Sequence, residues 1–146
     1  MKTVSWIILL VVGALTVLGS LESANIAYRP HQDRIAGVTL TELAAGKADV
    51  ETGLKARRGT AASFAAGFAT LFLFIVLGPY RRGDRWAWWA ILVGTLVVAV
   101  LVLVRMPALG IGPRSPGGGT SVEVLLLMGV VAIGLVLGAG RLRSGS

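Results

Sequence analysis

The chain has 146 residues, of which 55% are hydrophobic and 14% charged, and it carries a formal net charge of +7. Soluble domains have about 25% charged and about 45–50% apolar residues, so this balance, with a mean hydropathy of +0.79, argues against an ordinary soluble domain. The absence of cysteine excludes disulfides, thiolate nucleophiles, cysteine-based metal sites and a lipoprotein anchor.

Apolar residues come in blocks rather than in alternation. About 20 helical residues cross a hydrocarbon core of about 30 Å, and a short chain in lipid must satisfy its backbone within helices. The first block, about 4–20, is "VSWIILLVVGALTVLGS". Lys2 followed by an apolar run also fits a signal peptide, with Val17-Leu18-Gly19 as a cleavage region; an uncleaved span is the favoured reading.

Residues 21–59 form the long first loop and hold five of the seven acidic residues. "YRPHQDR" contains a proline that opposes helix continuation. Thr39 to Glu42, "TLTE", matches a capping box ahead of a short helix. Asp49 is positioned to cap a further helix that leads into the second span, with Gly53 as its weak point. His31 is the only histidine and reads as a solvated or interfacial loop residue; Asp33 beside it completes no catalytic set.

The second span, about 60–78, starts narrow, with Ser63 and Gly67 at small-xxx-small spacing, a pattern that lets helix backbones approach closely in lipid. Gly78-Pro79 is expected to stop it. Arg81, Arg82 and Arg85 follow in a short turn, then Trp86, Trp88 and Trp89. In a soluble protein this basic, aromatic stretch would suggest nucleic acid. Between two spans it reads as a membrane rim, where tryptophan rings prefer the headgroup level and arginines pair with anionic lipid. Trp86 and Trp89 share a helix face and Trp88 points elsewhere, which argues against one stacking platform.

The third span, about 86–104, ends at Arg105. "RMPALGIGPRSPGGGT" reads as a flexible connection without helix or strand signals; it lacks the Gly-Lys-Ser/Thr ending of a phosphate loop. The fourth span, about 122–139, opens with Glu123, a plausible partner for Arg105, and carries Gly134 and Gly138 as a GxxxG pair. No ionisable residue lies near the middle of any span, which opposes a proton or ion pathway through one chain. Placing both termini in the cytoplasm puts six basic residues inside (Lys2, Arg81, Arg82, Arg85, Arg141, Arg143) and eight outside. The tight arginine cluster and basic tail lie close to span ends, where such residues count most, and favour this orientation.

Four spans, a long first loop and an arginine-rich turn, carried most clearly by "ARRGTAASFAAGFATLFLFIVLGPYRRGDRWAWWAIL", resemble small bacterial four-helix membrane proteins of the DoxX-like or uncharacterised type. The resemblance implies a bacterial inner-membrane setting and at most a quinone or redox partnership, and it carries over no functional residue. The fold expected is an all-α, integral membrane four-helix bundle with a partly helical first loop. The expected function is non-catalytic, without cofactor or metal: binding a membrane-protein partner or a second copy, or stabilising a membrane complex, among membrane lipids and without nucleic acid. The alternative is a binder or carrier of a small apolar or lipid-like ligand, held between helices or under the first loop. A membrane enzyme using His31, Asp33 or Glu42 comes third.

Overall fold

A computed structural model describes residues 2–29, 34–35, 38–109 and 118–142. Its elements are α1 (Lys2–Ala27), β1 (Arg34–Ile35), β2 (Val38–Thr39), α2 (Leu40–Leu43) and α3 (Ala48–Ile75). A π-helical turn (Val76–Tyr80), α4 (Arg85–Ala108), α5 (Gly118–Gly138) and a 3-10 turn (Ala139–Leu142) follow. Helix dominates, and the short antiparallel pairing of β1 with β2, Arg34 opposite Thr39 and Ile35 opposite Val38, was not signalled by the sequence.

Three helical stretches are long and apolar enough to cross a membrane: Thr3–Ala27, Ala48–Tyr80 and Arg85–Ala108; Val122–Gly138 is a shorter apolar helix. Their outward faces are apolar. On α4, Val93, Leu96, Val97, Val100, Leu101 and Leu103 are all exposed. An apolar surface of this extent would be an aggregation hazard in water, whereas in a bilayer it meets its own kind. These are the helices of a membrane protein.

Several boundaries differ from the sequence reading. Helix α1 continues past Ser20 to Ala27, and α3 begins at Ala48 rather than near Thr60, so the first connection is far shorter than residues 21–59. No proline lies before Pro30 to break α1, and the ordinary helix formers of its polar end keep the ladder going. Asp49 lies inside the first turn of α3 with Glu51, where a carboxylate favours the positive end of the helix dipole, rather than at the cap. Helix α3 runs through Gly53 without a break, and α5 starts at Gly118, inside the tract read as irregular; residues 110–117 lie outside the described ones. The capping box is as the sequence indicates: Thr39 accepts from the Glu42 backbone N–H, and the Glu42 carboxylate accepts from the Thr39 N–H at 2.9 Å.

The largest correction concerns Gly78-Pro79. Helical structure passes through Pro79 as a π turn to Tyr80 and on to Arg82. Proline cannot donate an N–H and its ring crowds the preceding turn of an α-helix; a locally widened turn relieves that conflict. The actual stop is Gly83, at φ +100°. Its N–H donates to the Tyr80 carbonyl at 3.1 Å and that of Asp84 to the Pro79 carbonyl at 3.0 Å, the paired bonds of a Schellman ending.

The chain divides into two compact units, Met1–Ala14 with Leu71–Ser146, and Leu15–Thr70. In the first, each helical segment contributes a stripe to one core: Leu9 and Val12 from α1, Phe72 from α3, Val76 and Tyr80 from the π turn, Ala87 and Ile91 from α4, Val131 and Leu135 from α5. In the second, Ala27, Leu40, Ala44, Ala62 and Ala69 are buried, and the Tyr28 ring lies against Gly59 of α3.

If Gly83 ends the helix, Gly83→Ala is strained by its backbone alone, since a Cβ there meets nothing within 4 Å. Thermal unfolding in detergent should show a loss of about 1–2 kcal/mol. Gly78→Ala, also in open space but within the helix, should be neutral or gain up to about 1 kcal/mol. The opposite ranking would return the stop to Gly78-Pro79.

Candidate functional site

The most completely specified polar site in the first unit is a buried knot. Ser5 near the start of α1 donates its hydroxyl to the Gly134 carbonyl at 2.8 Å. Its oxygen is 2.6 Å from the Tyr80 hydroxyl. Serine has one hydroxyl proton, so Tyr80 is the donor in that second bond. Both residues are fully buried. Trp88 Nε1 donates to the next carbonyl, Leu135, at 2.9 Å. Consecutive carbonyls near the end of α5 thus receive side chains from α1 and α4. The start of α1, the end of the π turn, the start of α4 and the end of α5 meet at one end of this unit.

Gly134 and Gly138 face this junction. A Cβ on Gly134 would lie 3.0 Å from Leu9 Cδ2 and 3.4 Å from Ile8 Cγ2. A Cβ on Gly138 would overlap the Tyr80 hydroxyl and lie 2.7 Å from Ser5 Oγ. The GxxxG face therefore packs within the chain, on α1 and Tyr80.

Around the knot is the basic, aromatic rim. Arg81, Arg82 and Arg85 are exposed, as are Trp86 and Trp89, while Trp88 is half-buried. The Trp88 and Trp89 rings meet edge to face, 5.0 Å between centroids. The Arg81 guanidinium lies over the Trp6 ring at 5.0 Å from its centroid.

Ser63 and Gly67 have a different setting. In the second unit they line an open groove of about 650 Å³ with Tyr28, Ala56, Gly59, Thr60, Phe64 and Phe68. Both are exposed, and a Cβ on Gly67 would meet nothing within 4 Å. The Ser63 hydroxyl donates back to the Gly59 carbonyl at 2.9 Å, which leaves the groove wall small and largely apolar. The Tyr28 hydroxyl and Thr60 are its polar features. A shallower apolar groove of about 430 Å³ runs along Val122, Leu125, Leu126, Gly129, Val130 and Ile133 of α5.

His31 and Asp33 lie outside the described residues. The Glu42 carboxylate is held by the Thr39 N–H and hydroxyl, at 2.9 and 2.8 Å. Among the described residues no three His, Asp or Glu side chains are grouped to hold a metal ion. Arg105 and Glu123 are both exposed and, among the described residues, form no ion pair with one another; Lys55 Nζ and Glu51 Oε1 do pair, at 2.7 Å.

Sequence reasoning missed Ser5, Trp6, Tyr28 and Tyr80. A signal existed for two of them: a hydroxyl inside an apolar helix needs a partner, and Ser5 stands at the start of the first apolar run while Tyr80 and Gly138 stand at the ends of the second and fourth, positions that a four-span reading puts on one side. Comparison with protein-family models, curated proteins and solved structures finds no match for this chain.

Gly138→Ala places a methyl group on the Tyr80 oxygen and should destabilise the monomer in detergent by about 1–3 kcal/mol, the usual cost of overpacking. Adding Tyr80→Phe removes that oxygen and should restore part of the loss, although Tyr80→Phe alone costs about 0.6 kcal/mol, the average for a hydrogen bond between membrane helices. Native stability of the Gly138→Ala protein would show that the knot is not packed as described.

Proposed function

We propose that this chain is a non-catalytic integral protein of the bacterial inner membrane that docks a helix of a membrane-protein partner on the Ser63–Gly67 face of α3, and so stabilises a membrane complex. The observation that carries this reading is the uncovered groove. Ser63–Gly67 and Gly134–Gly138 are small-residue faces of the same spacing, and one of them, Gly134–Gly138, is filled from within. The other is open and flanked by Phe64 and Phe68, 75% and 42% exposed. Lipid tails fill a narrow helix face poorly, whereas a second helix gains dispersion contacts by approaching it closely.

In this reading the chain spans the bilayer four times as a bundle, with α5 as the fourth span and both termini in the cytoplasm. The meeting of the α1 start, the Arg81–Arg85 turn and the α5 end supports one shared side for them, and the arginines favour the cytoplasm. Ser5, Leu9 and Val12 belong to the core, which supports retention of the first span over its removal as a signal peptide.

A second reading rests on the same groove. Its volume of about 650 Å³ falls within the range of about 300–1,000 Å³ common to ligand pockets, and Tyr28 offers a hydroxyl beside aromatic walls. A small apolar or lipid-like ligand is the alternative occupant.

Native purification in mild detergent, followed by mass spectrometry of proteins and lipids, separates the two. A stoichiometric protein should copurify with the wild type and be lost from Gly67→Leu. The thermal midpoint of the variant chain alone should be unchanged, because the new side chain enters open space. Loss of a bound small molecule instead would select the second reading, and a Gly67→Leu complex that survives intact would remove both. Single cysteines at Ser23 and Ser144 report orientation: labelling of whole cells should reach Ser23 and spare Ser144.

A further inference from the structure

The rim at the knot end carries a charge pattern that neither helix docking nor groove filling uses. Of the seven acidic residues, five lie within residues 21–59 and Glu123 lies in the second turn of α5, which leaves Asp84 as the only acidic side chain in the turn. Against it stand Arg81, Arg82 and Arg85, all exposed. Among the described residues none of the three forms an ion pair. Lys2 begins α1 and Arg141 lies in the 3-10 turn that follows α5.

The aromatic residues are distributed just as unevenly. The chain has four tryptophans: Trp6 near the start of α1, and Trp86, Trp88 and Trp89 at the start of α4. Membrane helices commonly carry tryptophan at both interfaces; here all of it is at one. Trp6 also orients a charge. Its ring lies under the Arg81 guanidinium, which occupies one face of that plane and leaves the N–H edge donors for another partner. Arginine presents a rigid fork of donors that matches phosphate oxygens two at a time.

We infer that the Trp6–Arg81 stack, with Arg82 and Arg85, is a docking surface for the headgroup of an anionic phospholipid, whose phosphate is held by the guanidinium groups. The acyl chains run along α4 beside Trp86 and Trp89, 57% and 54% exposed, and Val93, 54% exposed. Charge complementarity selects the anionic headgroup, and the tryptophans fix the surface at the depth where lipid phosphates lie. This inference is independent of the partner proposed for α3.

The test uses the full chain reconstituted in phosphatidylcholine vesicles that contain a small fraction of either brominated phosphatidylglycerol or brominated phosphatidylcholine. Bromine on the acyl chains quenches tryptophan fluorescence on contact, and every tryptophan reports from this end. The quenching curves should give at least about a fivefold preference for phosphatidylglycerol, the contribution of one basic residue at a charged membrane surface. R81Q/R82Q/R85Q should bring the preference to about one, and Arg105→Gln, at the other end of α4, should leave it unchanged. If the triple variant fails to reconstitute, R82Q/R85Q changes only exposed side chains and should lower the preference severalfold. Equal quenching by the two lipids in the wild type, a preference that survives loss of the arginines, or an equal loss with Arg105→Gln would overturn the inference.

Discussion

The hydroxyl proton of Ser5 goes to the Gly134 carbonyl, and that single commitment organises the first unit. It fixes Tyr80 as the donor to Ser5, so both side chains satisfy each other in a fully buried setting. In hydrocarbon an unmet polar group costs several kcal/mol, so the two hydroxyls must be brought together or not buried at all. Gly138 has to lack a side chain because Tyr80 occupies its place. The π turn then acquires a structural role. Phe72, Val76 and Tyr80 are all buried at a spacing of four residues, a period that drifts off one face of an α-helix with 3.6 residues per turn but is better kept by a wider turn. Pro79, which rules out the regular ladder, helps to aim Tyr80 at Ser5.

The outer surface follows different rules from the knot. Along α4, Ala87, Ile91 and Thr95 turn inward, while Val93, Leu96, Val97, Val100, Leu101, Leu103 and Val104 form an exposed apolar face, as a helix solvated by lipid requires. Polar chemistry is concentrated where a bilayer would end, in Arg81, Arg82 and Arg85 with Trp6 and Trp89. In the second unit, small residues beside Phe64 and Phe68 form a concave strip on α3. The binding proposed for this chain uses these two surfaces.

How much of this was legible in the sequence depends on what each signal measures. Block length and flanking charge located the apolar helices, and the Thr39–Glu42 box gave a local bond that needs no tertiary context. Helix ends were misjudged because hydropathy marks where lipid would stop, not where the backbone ladder stops; α1 and α3 continue as polar helix beyond their apolar runs. Gly78-Pro79 was misread because the rule against proline applies to a regular α turn, and the chain had another turn available. Gly83 was the better stop, with a left-handed conformation that spacing alone does not reveal. The clearest limit is the pair of small-residue motifs. Ser63–Gly67 and Gly134–Gly138 have the same spacing, yet one faces open space and the other faces Ser5, Leu9 and Tyr80. Spacing states that a neighbour could approach, and only the fold supplies the neighbour.

The central claim is that the start of α1 and the end of α5 meet within one chain, at the knot. The protein has no cysteine, so an introduced pair reports without background. Ser5 Oγ lies 2.7 Å from the position of a Cβ on Gly138, close to the sulfur-to-Cβ separation that disulfide geometry requires. In a Tyr80→Phe background, which clears the space, Ser5→Cys with Gly138→Cys should oxidise in native membranes to a monomer lighter by two hydrogens in intact mass and unreactive to maleimide. Free thiols after oxidation, or a covalent dimer in place of the closed monomer, would contradict the account.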